Sequence, residues 1–299
     1  MPHLALLTAN VMYAANYIVA KGLMPSVIGP NAFIFYRALG ATALFWIIFL
    51  FRFERVAKQD LLRIALCAVF GIAVNQLCFF NGLMRTSPVN ASVFMTLTPI
   101  VVPIVAYIFM RERIGRWQML GIFIGAVGSV IFTLTGSNSG FATGLGDFFI
   151  ILNAVSYAFY LILVKPLLLR YHPITVITWV FTFGLLYVGL FPPAIREMDD
   201  VAWMDFDLET TFRFSFVVVC VTFLPYLLYT VAIKYVSPHV TAVYIYLQPI
   251  LTAGFIYLFA ALTNEDYSAD ITLSKVLSSC VIFAGVYLAI RPEQIEGVK

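Results

Sequence analysis

Residues 87–100 read SPVNASVFMTLTPI, and the same frame returns 150 positions later as SPHVTAVYIYLQPI over 237–250. The Ser-Pro and Pro-Ile pairs keep their spacing, and further matches extend the correspondence. Tyr13, Ala14 and Lys21 match Tyr157, Ala158 and Lys165 at an offset of 144, Pro30 matches Pro173 at 143, and Gly128 matches Gly285. An offset that drifts slowly is what small loop insertions produce after a gene duplication. The chain is therefore expected to fold as two copies of one unit, and the composition says what that unit is made of.

Hydrophobic residues make up 62% of the chain and charged ones 11%, with a mean hydropathy of +0.95. Soluble domains average about 45–50% and about 25%, so a water-soluble fold is excluded. A helix needs roughly 20 apolar residues to cross the hydrocarbon layer, and 299 residues with short polar breaks accommodate ten. The pattern predicts spans at 3–24, 30–51, 61–84, 88–110, 116–134, 145–169, 173–194, 212–235, 238–260 and 272–291. Pro30, Pro88, Pro173 and Pro238 each open one, where a missing N–H costs nothing. The Gly/Ser/Thr-rich stretch Gly136 to Gly146 is the seam, giving a first repeat over 1–136 and a second over 143–293. Five spans per copy is an odd number, so the second copy enters the membrane inverted. The expected fold class is all-α integral membrane, ten transmembrane helices as two inverted five-helix repeats, an arrangement that carriers use to alternate access to a central cavity.

Basic residues orient the bundle. With the N-terminus inside, the inner segments hold Arg52, Arg55, Lys58, Arg63, Arg111, Arg113, Arg116, Lys165, Arg170, Lys234, Arg291 and Lys299. The outer ones hold Lys21, Arg85, Arg196, Arg213 and Lys275. The excess of inner charge predicts both termini in the cytoplasm of a multi-pass inner (plasma) membrane protein. A net charge of +3 gives no reason to expect nucleic acid. Cys67, Cys78, Cys220 and Cys280 fall in apolar segments without metal-ligand spacing and read as packing residues. The first 24 residues lack a basic leader and a small-residue cleavage site, so they read as a retained span. The acidic loop 195–213 reads as a solvated connector with aromatic anchors. No cofactor is expected, and a single bundle acting as a monomer is the default.

Polar and aromatic groups at membrane depth mark the candidate solute path. Asn10, Tyr13 and Tyr17 share one face of the first helix, and Asn153, Tyr157 and Tyr160 repeat the stripe in the sixth. Asn75, Gln76 and Phe79 lie near the middle of the third, Thr222, Tyr226 and Tyr229 in the eighth, Tyr244 and Gln248 in the ninth. At the offset of 150, Gln76 maps to Tyr226, Phe79 to Tyr229, Phe94 to Tyr244 and Thr98 to Gln248. The expected substrate-binding set is Tyr13, Asn75, Gln76, Phe79, Tyr157, Tyr160, Tyr226, Tyr229, Tyr244 and Gln248. Aromatic and amide groups together suit a small zwitterion or a largely apolar solute. Individual amides also glue helices together, which is the plainer use of any one of them. Arg37 is a possible charge contact, although it lies close enough to a helix end to snorkel to the interface. Lys21 and Lys165 read as interface anchors. Acids appear only at span edges, Glu112 and Asp147 among them, which favours facilitated diffusion or coupling through an edge group.

The stretches FFNGLMRTSPVNASVFMTLTPIVVPIVAYIFMRERI (79–114) and YTVAIKYVSPHVTAVYIYLQPI (229–250), with Arg37 in the second span, resemble the EamA-type members of the drug/metabolite transporter superfamily. The resemblance covers essentially the whole chain. Arg111-Glu112-Arg113 carries the family's Glu-Arg pair, and Asn264-Glu265-Asp266 departs from it in the second copy. The resemblance implies a ten-helix carrier exporting amino acids or related small metabolites. A proton-coupled drug carrier and a sugar-phosphate or nucleoside-type carrier are the alternatives within transport. A membrane enzyme would need convergent His, Ser or acidic groups, and His3, His172 and His239 are scattered. The expectation is a transporter and no enzyme.

Overall fold

A computed structural model describes residues 2–110, 115–134, 141–236, 241–242, 244–262 and 267–290. Among these residues the chain is helical throughout, with no strand. Its helices are α1 Pro2–Leu23, α2 Pro30–Leu50, α3 Lys58–Ala68, α4 Val74–Arg85, α5 Pro88–Met95, α6 Thr98–Met110, α7 Arg116–Leu134 and α8 Phe141–Arg170. They continue as α9 Pro173–Gly189, α10 Pro192–Asp199, α11 Leu208–Phe216, α12 Leu224–Tyr235, α13 Leu247–Leu262 and α14 Leu273–Ile290. Pro30, Pro88 and Pro173 stand in the first turns as expected, and Ser87 and His172 cap α5 and α9 by accepting from Asn90 and Ile174 backbone N–H groups. The expected helix start at Pro238, together with His239, the 135–140 half of the seam, Arg111–Glu112–Arg113 and Asn264–Glu265–Asp266, lies outside the described residues.

Among the described residues, seven helical stretches are long and apolar enough to cross a membrane, and eight if the bent pair α9 and α10 counts as one span. The ten spans expected from hydropathy therefore do not all meet that measure. Within α7 and α14 the apolar runs are the shorter Met119–Phe132 and Leu273–Leu288, and both helices border undescribed residues. The chain is a multi-pass membrane protein, and many large apolar side chains stand exposed on its outer face.

Three local departures from regular helix recur in both copies. A π-helical turn, Val69–Ala73, joins α3 to α4, and a second, Val217–Phe223, joins α11 to α12, at equivalent positions for the offset of 150. Such turns leave carbonyls without an ordinary helical partner. Here cross-helix side chains take them up: Ser156 donates to Phe70 O at 2.7 Å and Tyr226 to Gly71 O at 3.5 Å. Next, α5 and α6 break at Thr96-Leu97 just before Pro99, and the 3₁₀ turn Tyr244–Tyr246 precedes α13 just before the equivalent Pro249. A proline lacks the N–H that would continue the ladder and crowds the preceding turn.

The third departure is at helix ends. Lys21 from α1 donates to the carbonyls of Leu83 (2.9 Å) and Thr86 at the end of α4. Lys165 from α8 donates to Ile233, Lys234 (3.2 Å) and Val236 (2.7 Å) at the end of α12. The two lysines expected at the interface thus cap helices. They satisfy carbonyls that have no intrahelical partner and complement the negative helix terminus.

Carboxylates do the reverse job. Glu197, on α10, accepts from the backbone N–H of Asn31 (2.6 Å) and Ala32 (3.0 Å) and from the Asn31 amide, at the start of α2. Glu54, just beyond α2, accepts from His172 N (2.9 Å) and the Thr175 hydroxyl (2.6 Å), at the start of α9. Glu54 and Glu197 are 143 residues apart, the offset that relates Pro30 to Pro173. So α2 and α9, which pack together, each have their N-terminus capped by a carboxylate from beyond the other's C-terminus. The loop expected as a mere connector is therefore a structured strut, with Trp203 wedged against Tyr36 and Phe214 at ring distances of 4.6 and 5.9 Å.

The most extensive helix pair is α7 with α14. A Cβ on Gly285 would fall on the backbone of Gly125 and 2.8 Å from Gly121 O, so only glycine allows this approach. Around the centre, α1 packs on α12 and α13, and α4 packs along α8.

Candidate functional site

Where α1, α4, α8, α12 and the segment leading into α13 converge, they enclose a cavity of about 70 Å³. A water needs at least about 10–15 Å³ on this measure, so there is room for roughly five water-sized groups. Of the residues expected from the sequence, Tyr13, Asn75, Gln76, Phe79, Tyr157, Tyr226, Tyr229 and Gln248 line it, and so does Arg37. Two lie elsewhere. Tyr160 is 2% exposed and lies behind Tyr157, their rings 5.9 Å apart, with its own ring filling the gap left at Gly71. Tyr244 sits in the 3₁₀ turn ahead of α13 and pairs with His3, 2.7 Å between Nδ1 and the hydroxyl, on an exposed edge. The turn carries Tyr244 away from the face that Gln248 holds, which a regular helix would have kept common to both.

Asn16, Tyr17, Phe80, Met95, Asn153 and Ile245 complete the wall. Tyr17 and Asn153 belong to stripes recognised in the sequence. Met95 faces inward because α5 stops at that residue, a consequence of the break before Pro99 that spacing alone does not give.

Two hydrogen-bonded chains hold the wall. In one, Tyr17 donates to Gln248 Oε1 (2.7 Å), Gln248 to Asn10 Oδ1 (2.8 Å), and Asn10 to the Tyr229 hydroxyl (2.6 Å). This ties α1 to α12 and α13. In the other, Asn153 Nδ2 donates to Asn75 O (2.7 Å) and Asn75 Nδ2 to Asn153 O (3.3 Å), while Gln76 Nε2 reaches Asn75 Oδ1 (3.0 Å) and the Tyr226 hydroxyl. Because these amide nitrogens face acceptors, the orientation of each amide is fixed by its partners. Rings of Tyr13, Tyr157 and Tyr226 surround Tyr229 or one another at 5.6 to 6.5 Å.

The groups left over are informative. Asn16 Oδ1, Gln76 Oε1 and Asn153 Oδ1 are buried without a hydrogen-bond partner, and all three residues line the cavity. So does Arg37, whose Nη1 is buried and unpartnered. Arg37 is 3% exposed, its Cζ 4.5 Å from the centroid of the Phe80 ring and 5.9 Å from that of Phe33. It does not snorkel. The guanidinium turns into the bundle and rests on two aromatic faces, the one favourable contact an apolar wall offers a cation. Its equivalent in the second copy, 143 residues on, is the buried Val180. Buried donors and acceptors without partners are rare in folded proteins, and here four belong to residues that line one cavity.

These features define a multi-pass membrane protein with a cavity lined by amide and aromatic side chains inside its helical bundle. The chain belongs to the EamA-like transporter family, whose profile matches residues 1–134 and again 144–291. An uncharacterized transporter of Archaeoglobus fulgidus is 30% identical over 172 residues, which is 57% of this chain and 60% of that protein. A protein of Streptantibioticus cattleyicolor named a probable terminal-alkyne amino-acid exporter is 25% identical over 48% of this chain and 47% of its own. The matched stretches thus span about half to three-fifths of these relatives' length. A crystal structure superposes over 96% of both chains with a TM-score of 0.65 at 16% identity, which shows a shared fold.

Proposed function

We propose that this transporter carries a small zwitterion, an amino acid or a close relative, outward across the inner membrane. Its two halves would rock in opposite orientation about the central cavity, with both termini in the cytoplasm. The observation that carries the solute class is the set of unpartnered groups. Arg37 offers a charged donor to a carboxylate, while the oxygens of Asn16, Gln76 and Asn153 offer acceptors to an ammonium. The tyrosine rings leave space for a short apolar side chain, and the room for roughly five water-sized groups fits a solute of that size. The name of the Streptantibioticus relative agrees with this class. Arg37 is the single cation among the described lining residues, which favours one carboxylate over the doubly charged phosphate of a sugar-phosphate cargo. The inverted arrangement draws support from the carboxylate caps exchanged between α2 and α9.

Flux of alanine into proteoliposomes, compared with that of propionate and ethylamine, tests the solute reading. Alanine transport that exceeds both half-solutes and drops at least about tenfold in Arg37→Gln is expected, since a charge-assisted contact is worth about 1.5–3 kcal/mol. Equal transport of all three, or full activity of Arg37→Gln and Tyr157→Ala in folded protein, would sink it. Cysteine labelling at positions 87 and 237 tests the inversion, because inverted halves place them on opposite faces.

A further inference from the structure

We infer that Asp147 is a proton-binding site, and that proton uptake there loosens the end of the bundle at which α8 begins. Asp147, expected from the sequence near a span edge, is 2% exposed. Its Oδ1 accepts from the Thr86 hydroxyl (2.5 Å) and from the Asn90 amide (3.4 Å), whereas Oδ2 is buried with no partner. The carboxylate is pressed against the turn between α4 and α5. A Cβ on the neighbouring Gly146 would lie 2.9 Å from both Arg85 Cβ and Thr86 N. Thr86 follows the helix that carries Asn75, Gln76 and Phe79, and Asn90 lies on the helix that ends at Met95. Asp147 therefore clasps α8 to two walls of the cavity.

Charged groups reach this point from α1, α4 and the start of α14, while α5 brings only the neutral Asn90. Lys275, on α14, is 3% exposed, with Nζ 5.9 Å from the centroid of the Phe132 ring. It interacts electrostatically with Asp147 without forming an ion pair. Asp270, in the turn before α14, acts on both Lys275 and Lys21. Lys21 from α1 holds the Thr86 carbonyl, and Arg85 from α4 lies over the Phe149 ring at 5.8 Å. Arg63, which bonds Leu163 O, and Lys165, Arg170 and Asp60 belong to the other end of α8, about 25 to 35 Å away.

Oδ2 has a free lone pair in a place where a charge is penalised. A proton from water on that face adds to Oδ2, and it leaves from the same oxygen once the site reopens; only an O–H bond forms and breaks. Neutralisation turns the bonds from Thr86 and Asn90 into ordinary ones, roughly half as strong. The clasp then weakens and the α4–α5 turn moves away from α8.

The test is solute-free. Infrared spectra of the full chain in lipid nanodiscs, taken from about pH 8 to about pH 4, should show a protonated-carboxyl band in the wild type that Asp147→Asn lacks. Amide exchange over residues 86–95, corrected for its intrinsic pH dependence, should quicken about tenfold on acidification, matching the loss of charge assistance. Asp147→Asn should stay at the fast level at every pH, and Asp147→Glu should keep the response. An unchanged band or an unchanged pH response in Asp147→Asn overturns the inference. If that variant does not fold, Lys275→Gln decides: removing the cation must move the band's midpoint to higher pH, and an unmoved midpoint is equally fatal. Neither readout depends on what the cavity binds, so failure here leaves the zwitterion reading standing, and the reverse holds.

Discussion

Glu197 gives the sharpest test of how this bundle is held. Its carboxylate takes two backbone N–H groups and one amide at the start of α2, where Asn31 and Ala32 are buried. In Glu197→Ala those N–H groups lose their only acceptor. A buried donor left unsatisfied costs about 1–3 kcal/mol, and the lost charge at a helix N-terminus adds about 0.3–1 kcal/mol. Glu197 is half-exposed, so water recovers part of this, and about 3 kcal/mol is the expected total. Glu54→Ala removes one backbone bond and one hydroxyl bond at α9, for about 1.5–2 kcal/mol on the same scale. The sites lie at opposite ends of a 21-residue helix, about 30 Å apart, so the double variant should sum. Thermal unfolding in detergent, with tryptophan fluorescence as the probe, should rank wild type above Glu54→Ala above Glu197→Ala, with roughly 2 °C lost per kcal/mol. The caps are misread if Glu197→Ala unfolds within about 1 °C of wild type, or if the double variant is no worse than the single.

Lys21→Met and Lys165→Met each strip two or three helix-end carbonyls of a charged donor and should each cost about 2 kcal/mol; a loss for only one of them in the same unfolding assay would separate the two copies. Gly285→Val drives a side chain into the backbone of α7 and should cost about 2–4 kcal/mol or part α7 from α14, read as faster amide exchange across 119–132. His172 is held neutral, its imidazole pushed below the ordinary value by burial first and by Arg52 and Lys234 after that, while Nδ1 accepts from Ile174 N. Its contribution is whole above about pH 6.5 and is lost as pH falls through the lowered value. His172→Asn, which keeps an acceptor but does not titrate, should therefore flatten the acid side of the stability curve, and an identical curve would contradict the assignment.

Much of the cavity was legible because it rests on helical spacing: Tyr13 with Tyr17, Asn153 with Tyr157, and Tyr226 with Tyr229 need only a regular helix to share a face. The sequence misleads where the helix is irregular. Tyr244 falls in a 3₁₀ turn and leaves the common face, while Met95 enters it through the break before Pro99. Long-range partners are invisible to spacing altogether. Nothing local distinguishes Lys21 as a helix cap from Lys21 as an interface anchor, because its partners are carbonyls about sixty residues away. Arg37 looks free to snorkel until Phe33 and Phe80 are seen beneath it, and Asp147 reads only as a span-edge acid until Thr86 and Asn90 are seen to hold it.

Tyr13 and Tyr157 apart, which match and both line the cavity, what the copies kept and what they changed divides along one line. The π turns, the breaks before Pro99 and Pro249, the lysine caps and the glutamate caps recur at matching positions; the turns and breaks free backbone groups, and the caps satisfy such groups in a medium that offers no water. The groups that differ carry charge or face the cavity: Arg37 against Val180, Asn75 and Gln76 against Pro225 and Tyr226, Asp147 against His3. Backbone satisfaction is the same problem in both halves, so its solutions are under the same constraint. A solute with distinct ends is not symmetric, and a cavity that grips it by a carboxylate on one side cannot be. On the zwitterion reading proposed above, the asymmetry at Arg37 is what a polar-ended solute requires, and replacing Val180 by arginine should weaken transport by placing an uncompensated second cation in the bundle.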